Sequence, residues 1–328
     1  MKHAVGVCAL LALLSVGWAA QRDADARWRP LVHVPGALDV AGPRADGRLV
    51  VASSRGLFLL RPRGALTAYA PGYVPPTGET YVTLAADRRL SSRGCRFHRD
   101  DLFALDPVSA PGVVRIDRAG RLSRFVEFPS RPFLSGIAFD RVGRFGSRLL
   151  VTAIVDGKTT LYAIDCRGRA SAVVRGAPKV EGGIAVAPLS FGRFPGRLIA
   201  ADEIRGRIFA FDARGGVQLV AAPRIPAGGD IGVESVGFVP RGFGGRGAAY
   251  LADLGAPGSP TSGTDSLLFM PGGQLVRAGV RPGDLIVATE AGALTLAVRC
   301  RRVCTVRRIG QGPEQTHGEG HIAFAVTR

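Results

Sequence analysis

One short apolar strand recurs about six times along this chain, and nothing else in it narrows the fold so far. The copies lie at residues 48–53 (RLVVAS), 101–106 (DLFALD), 148–153 (RLLVTA), 197–202 (RLIAAD), 249–253 (AYLAD) and 284–289 (DLIVAT). A turn follows each, then a second apolar strand, as at residues 57–60, 160–164 and 207–211. Gly and Pro punctuate these runs and no long stretch repeats at helical period. Repeats of roughly 40–50 residues made only of strands are the sequence mark of propeller blades.

A typical unit reads as four strands: an inner strand such as residues 136–139, the recurring strand, its apolar partner, and an outer strand such as residues 172–174. Further inner strands fall at residues 81–85, 183–186, 236–239 and 322–326, the last at the end of the sequence. The first repeat has only a weak inner candidate at residues 38–40. The expectation is therefore an all-β, six-bladed β-propeller whose C-terminal strand completes the first blade and leaves no free sheet edge. Residues 269–284 are too few for an outer plus an inner strand, so an irregular last blade or a five-bladed ring stands as the alternative. One helical turn is expected at residues 274–278.

Residues 1–20 read as a separate object: a short basic start at Lys2 and His3, an apolar run, and small residues Gly17 and Ala19 at a cleavage site. The competing reading is an uncleaved membrane anchor. Residues 21–30 read as an unstructured lead-in, and 31–328 as a single domain with no second span. The expected location is secreted, periplasmic or cell-surface. Beyond the leader stand Cys95, Cys166, Cys300 and Cys304, an even count that favours disulfides in an exported protein. Cys300 and Cys304 can bridge a hairpin end; Cys95 and Cys166 then pair if the second and third blades adjoin. A zinc site is the rival reading, and the spacing lacks paired C-x-x-C motifs.

Net charge is +17, almost all from arginine, since Lys2, Lys158 and Lys179 are the only lysines. The arginines are scattered without interleaved aromatics, which argues against nucleic acid and for solvated surface, with an acidic surface polymer as a further partner class. A monomer is expected. No G-x-S-x-G elbow and no phosphate loop occur.

Aligning the inner strands brings acidic residues into register at their starts. Glu79, Glu181 and Glu319 coincide, Glu234 is displaced by one residue, and Leu134 takes the position in the third unit. Carboxylates converging on one channel mouth repel unless a cation or protons neutralise them, and hard oxygen ligands suit calcium. The competing reading has these glutamates capping strand starts or pairing with arginines. Asp106, Asp202 and Asp253 end recurring strands, with Glu203 and Glu290 close by, where a turn-organising role is expected. In the segment His317-Gly318-Glu319-Gly320-His321, alternate residues of an extended strand share a face, which would let His321 act as base beside Glu319.

Residues 181–186 (EGGIAV), 196–202 (GRLIAAD) and 206–211 (GRIFAF), with 135–140 (SGIAFD) and 148–151 (RLLV), resemble blades of the gluconolactonase/senescence-marker-protein superfamily, a grammar shared with NHL and strictosidine-synthase-like propellers. The resemblance implies a lactonase-like fold holding one divalent cation, usually calcium, at the starts of inner strands. It places Glu181, Glu234 and Glu319 there, with Glu79 as a fourth ligand. Where such enzymes also use asparagines, this chain offers glutamates. The implied chemistry is cation polarisation of a lactone or ester carbonyl, with a carboxylate or His321 activating water. The competing class is a non-catalytic propeller that binds a glycan, peptide or protein on its face.

Overall fold

The computed structural model describes residues 26–61, 64–76, 79–107 and 110–326. The leader reading at residues 1–20 lies outside these. The described residues are almost entirely β and adopt a propeller-like arrangement: four separate four-stranded antiparallel sheets, a small hairpin, and one nine-stranded sheet. The four sheets follow chain order and begin with the inner strands Ala37–Ala41, Val82–Leu84, Phe133–Phe139 and Glu181–Val186. In each, the recurring strand pairs with the inner one, as in Leu49–Ser53 on Ala37–Ala41 and Leu198–Asp202 on Glu181–Val186.

The recurring strands are apolar throughout because they are covered on both faces. Leu49–Ser53, Leu198–Asp202 and Leu285–Thr289 are buried at every residue. Alternate side chains serve opposite neighbours: Val50 and Ala52 pack with Leu102 and Ala104 of the next sheet, while Leu49 and Val51 pack with Tyr250 and Ala252. A strand buried on both sides reads as a continuous apolar run rather than an alternating one.

The expected sequence of six separate units holds for the first four recurring strands and changes for the last two. Those belong to the nine-stranded sheet, ordered Ala26–Arg27, Cys304–Gln311, Thr295–Cys300, Leu285–Thr289, Val233–Phe238, Gly318–Ala325, Ala248–Asp253, Ser266–Pro271, Arg29–His33. Its fifth and sixth strands in that order run parallel, with Val236 opposite His321.

Three expectations are corrected here. The C-terminal strand does not complete the first sheet; it pairs with Ala248–Asp253. The first sheet has its own inner strand, Ala37–Ala41, fully buried, and its sequence signal is weak because Asp39 stands in the middle of it. The described part of the stretch read as a lead-in, from residue 26, enters strands, Ala26–Arg27 along Cys304–Gln311 and Arg29–His33 along Ser266–Pro271, pinned by the indole of Trp28 donating to Thr295 Oγ1 at 2.8 Å. This last pairing explains the short interval at 269–284: the outer strand arrives from the other end of the chain. The interval itself holds Gly272–Arg277, the only α-helix among the described residues, where a helical turn was expected.

Both disulfides form as expected, Cys95–Cys166 and Cys300–Cys304. Cys95 lies in the hairpin inserted between Leu84 and Leu102, and Cys166 in the turn after Ile164, so the bond staples the second sheet to the third.

The strands Ala37–Ala41, Val82–Leu84, Phe133–Phe139, Glu181–Val186, Val233–Phe238 and Gly318–Ala325 stand in succession around the channel, and the last returns to lie against the first. Five of them carry a bulge near their starts, with register shifts after Ala37, Leu134, Glu181 and Val233 and between Glu319 and Ala323. A bulge adds unpaired residues to one strand and re-aims the side chains there. That is the level at which the candidate site is built.

Candidate functional site

At the start of the channel Tyr81 is completely buried, and its hydroxyl meets three carboxylates. It lies 2.7 Å from Glu79 Oε2, 2.7 Å from Glu234 Oε1 and 3.0 Å from Glu319 Oε2. A phenol carries one proton to donate, and an ionised carboxylate can only accept. Three ionised carboxylates cannot all be satisfied by one O–H, so the group needs bound protons or a cation. Glu234 and Glu319 are 4% and 2% exposed, which leaves little water to share the charge.

The electrostatics follow from that crowding. Burial, and then the charge of Glu79, push the Glu319 carboxyl up to about 8. Burial and the Glu319 charge hold Glu234 well above the usual carboxylate range. Glu79 is raised chiefly by burial, against the lowering effect of its bond to Tyr81.

A second arm adjoins the first. His317 Nε2 sits 2.7 Å from Glu290 Oε1 and 3.4 Å from Glu319 Oε1, while its backbone N–H donates to Asp253 Oδ1 at 2.8 Å. Burial disfavours the imidazolium, yet the hydrogen bonds to Glu290 and Glu319 outweigh it and raise His317 to about 10. Its Nδ1 is buried without a hydrogen-bond partner among the described residues. Glu203, raised to about 8 by burial and by Glu290, extends the chain of acids toward Asp230. Ligand atoms fall within 4.8 Å of one another in three overlapping sets: Glu79, Glu234 and Glu319; Glu290, His317 and Glu319; Glu203, Asp230 and Glu290.

The register argument thus brings together Glu79, Glu234 and Glu319 and leaves out Glu181. Lys179, two residues earlier, takes Glu181 at 2.7 Å. Glu234 arrives because it is the extra residue of its bulge, which accounts for the one-residue displacement in sequence. The neighbouring backbone must be glycine: at Gly182, with φ +81°, a Cβ would stand 2.2 Å from Glu234 Oε1. Sequence reasoning set a turn-organising role for Glu290 against a catalytic one, noted Glu203 only beside Asp202, and put His317 on one face with Glu319 and His321; all three of Glu290, Glu203 and His317 reach the cluster. The turn role does hold at Asp202, which accepts from the Arg205 N–H at 3.1 Å.

His321 is a correction. It does not share the mouth with His317 and Glu319, because Gly320 (φ +65°) breaks the alternation; a Cβ there would lie 2.4 Å from Asp39 Oδ1. His321 instead spans the channel one level deeper. Its Nδ1 is 2.8 Å from Asp39 Oδ2, and its Nε2 is 2.9 Å from the Ile137 carbonyl and 3.1 Å from that of Ile184. Both ring nitrogens face acceptors, the arrangement that only an imidazolium satisfies. Burial works against that charge, but Asp39 overrides it and raises the pKa. Asp39 also accepts from the N–H groups of Val40, Val82 and His321, each at 2.7 Å. The pair is a cross-brace of the inner strands, with no ring nitrogen free to serve as a base.

No family model matches the chain. No curated protein matches it in sequence. Among solved structures, a protein provisionally assigned as a gluconolactonase is similar over 89% of this chain and 83% of its own, with a TM-score of 0.50 and 11% identity. Virginiamycin B lyase from Staphylococcus aureus shares 12% identity over 90% of this chain and 94% of its own, with a TM-score of 0.47. A gluconolactonase from Xanthomonas campestris shares 15% identity over 70% and 69%, with a TM-score of 0.41. At 11% identity the likeness to the first of these is one of fold alone.

Proposed function

We propose that this chain is an exported six-bladed propeller whose acidic mouth holds a divalent cation, calcium by its ligand chemistry, and serves a lactonase- or esterase-like hydrolysis. On this reading the nine-stranded sheet is two blades joined through Val236 and His321. The observation that carries the cation is the single Tyr81 hydroxyl shared by Glu79, Glu234 and Glu319. Carboxylate and phenol oxygens are hard donors, and excess buried negative charge is what a calcium ion offsets. A bound cation would supply Lewis-acid polarisation of a carbonyl. The protein's own contribution would be the Glu290–His317 pair, which can hold a proton beside Glu319 and hand it on. Two disulfides support a location outside the cytoplasm, and no helix among the described residues is long and apolar enough to cross a membrane.

A second reading has the cation bracing the strand starts of a non-catalytic propeller that binds a glycan, peptide or protein. The near-complete burial of Glu234 and Glu319 favours it. One experiment addresses both. The EDTA-treated protein is melted with and without calcium, magnesium or manganese, since an ion that binds only the folded state raises Tm. A rise abolished by Glu234→Gln supports the cation site; no rise with any ion removes it. Turnover of lactones or aryl esters, lost in His317→Gln while the calcium shift persists, then favours the enzyme over the binding module.

A further inference from the structure

The opposite end of the channel is built from different chemistry. A cavity of about 1350 Å³ opens where the inner strands finish, rimmed by Arg44, Arg48, Arg61, Arg99 and Arg141. Asp46 is the one carboxylate in its lining, and Arg48 engages it at 2.7 Å. Arg44 is 6% exposed and lies over the Tyr69 ring at 5.0 Å. Its Nη2 donates to the Arg118 carbonyl at 3.4 Å and its Nε stands 3.6 Å from Asp46, while Nε and Nη1 have no hydrogen-bond acceptor among the described residues. Arg141 donates to the Leu84 carbonyl at 2.7 Å. Among the described residues no carboxylate lies in ion-pair reach of Arg61, Arg99 or Arg141.

Beneath this rim a narrower cavity of about 210 Å³ shares Phe238 and Ile322 with the basin and continues to His321. Its walls include Val40, Leu84, Ala138 and Val236. A pit walled mainly by aliphatic side chains, with the His321 ring at its floor and a cationic rim above, fits one kind of molecule. We propose that this end of the channel binds a small amphiphilic anion, with its apolar body in the pit and a carboxylate or phosphate on the arginines. The bound anion would supply an acceptor for the unpaired Arg44 N–H groups, and guanidinium forks suit both anions. The lining comes from strand ends around the channel axis, which suits a compact molecule rather than a long polymer. This site shares no residue with the acidic mouth and does not depend on its reading.

Calorimetric titration of the disulfide-intact protein tests it, using phenyl phosphate, benzoate, inorganic phosphate and benzyl alcohol. An aromatic anion should bind at least tenfold more tightly than either inorganic phosphate or benzyl alcohol, and the better of the two assigns the group. Arg99→Gln/Arg141→Gln should weaken it by at least tenfold, and so should Arg61→Gln/Arg99→Gln, which removes no side-chain hydrogen bond among the described residues. Arg302→Gln, exposed and outside the cavity's lining, should leave it unchanged. Equal affinity for inorganic phosphate, equal losses in Arg302→Gln, or no binding by any probe would overturn the proposal.

Discussion

The two ends of this channel solve opposite problems. At the start, like charges are buried together and held by hydrogen bonds, with Tyr81, Glu234 and Glu319 almost sealed from solvent. At the finish, arginines stand around an open basin, and of the five only Arg44 is buried. Burial makes the acidic end costly in free energy unless something neutralises it, whereas the basic end, Arg44 apart, carries its charge largely exposed and at little expense to stability. Covalent reinforcement is also unequal. Both disulfides lie at the basic end: Cys95 follows the finish of Val82–Leu84, and Cys300 extends beyond Val298, which faces Leu285 and through it Phe238. The difference teaches that the acidic end is organised by its chemistry and the basic end by staples.

The comparison breaks most severely at the brace between the ends. Asp39→Ala leaves three backbone N–H groups and a buried imidazolium without their acceptor, and should cost about 3–5 kcal/mol in urea unfolding. A loss under about 1 kcal/mol would mean the two ends are independent. Next come the staples. Replacing Cys95 and Cys166 by serine opens a loop with a sequence separation of 71, and chain entropy alone predicts a loss of about 4 kcal/mol. For Cys300 and Cys304, separated by 4, the same relation gives about 2 kcal/mol. Equal losses would show that strain or local contacts, rather than loop closure, decide.

The acidic end is sharpened by pH. The Glu319 carboxyl is raised from 4.5 to about 8, so its protonated form stabilises the fold below the unfolded value and that contribution is lost as pH rises toward 8. His317, raised from 6.5 to about 10, acts with the same sign over pH 6.5–10. Melts of the EDTA-treated protein should thus show stability falling from pH 5 to pH 8 by several kcal/mol. Glu319→Gln should flatten the slope, and a profile rising with pH would contradict the shared-proton arrangement. The smallest effect belongs to the basic rim: Arg61→Gln/Arg99→Gln should move stability by less than about 0.5 kcal/mol at any of these pH values.

Much of this was legible in the residues. The double burial of the recurring strands announces itself in runs such as RLIAAD, and register pointed to the acids at 79 and 319, with Glu234 one residue out of step. What sequence could not carry was partner choice. Ala248–Asp253 follows Val233–Phe238 in the chain just as Leu49–Ser53 follows Ala37–Ala41, yet it pairs with Gly318–Ala325 instead. Identical apolar patterns cannot distinguish those pairings. At the site, Lys179 captures Glu181, and the backbone at Gly320 turns His321 away; both depend on local geometry that strict alternation along a strand does not anticipate.

The interleaving of the last strands has a consequence for how the molecule is made. Residues 37–221 form sheets from consecutive segments, so each can be completed as the chain is synthesised or threaded through a pore. Gly318–Ala325 must then enter between Val233–Phe238 and Ala248–Asp253, and Arg29–His33, made first, waits for Ser266–Pro271. Contacts so distant in sequence form slowly. The acidic mouth, which takes Glu319 from the last strand and Glu79 from the second sheet, is assembled only at that final insertion. A chain stopped short of residue 318 would present a nearly finished protein with an open seam and no site.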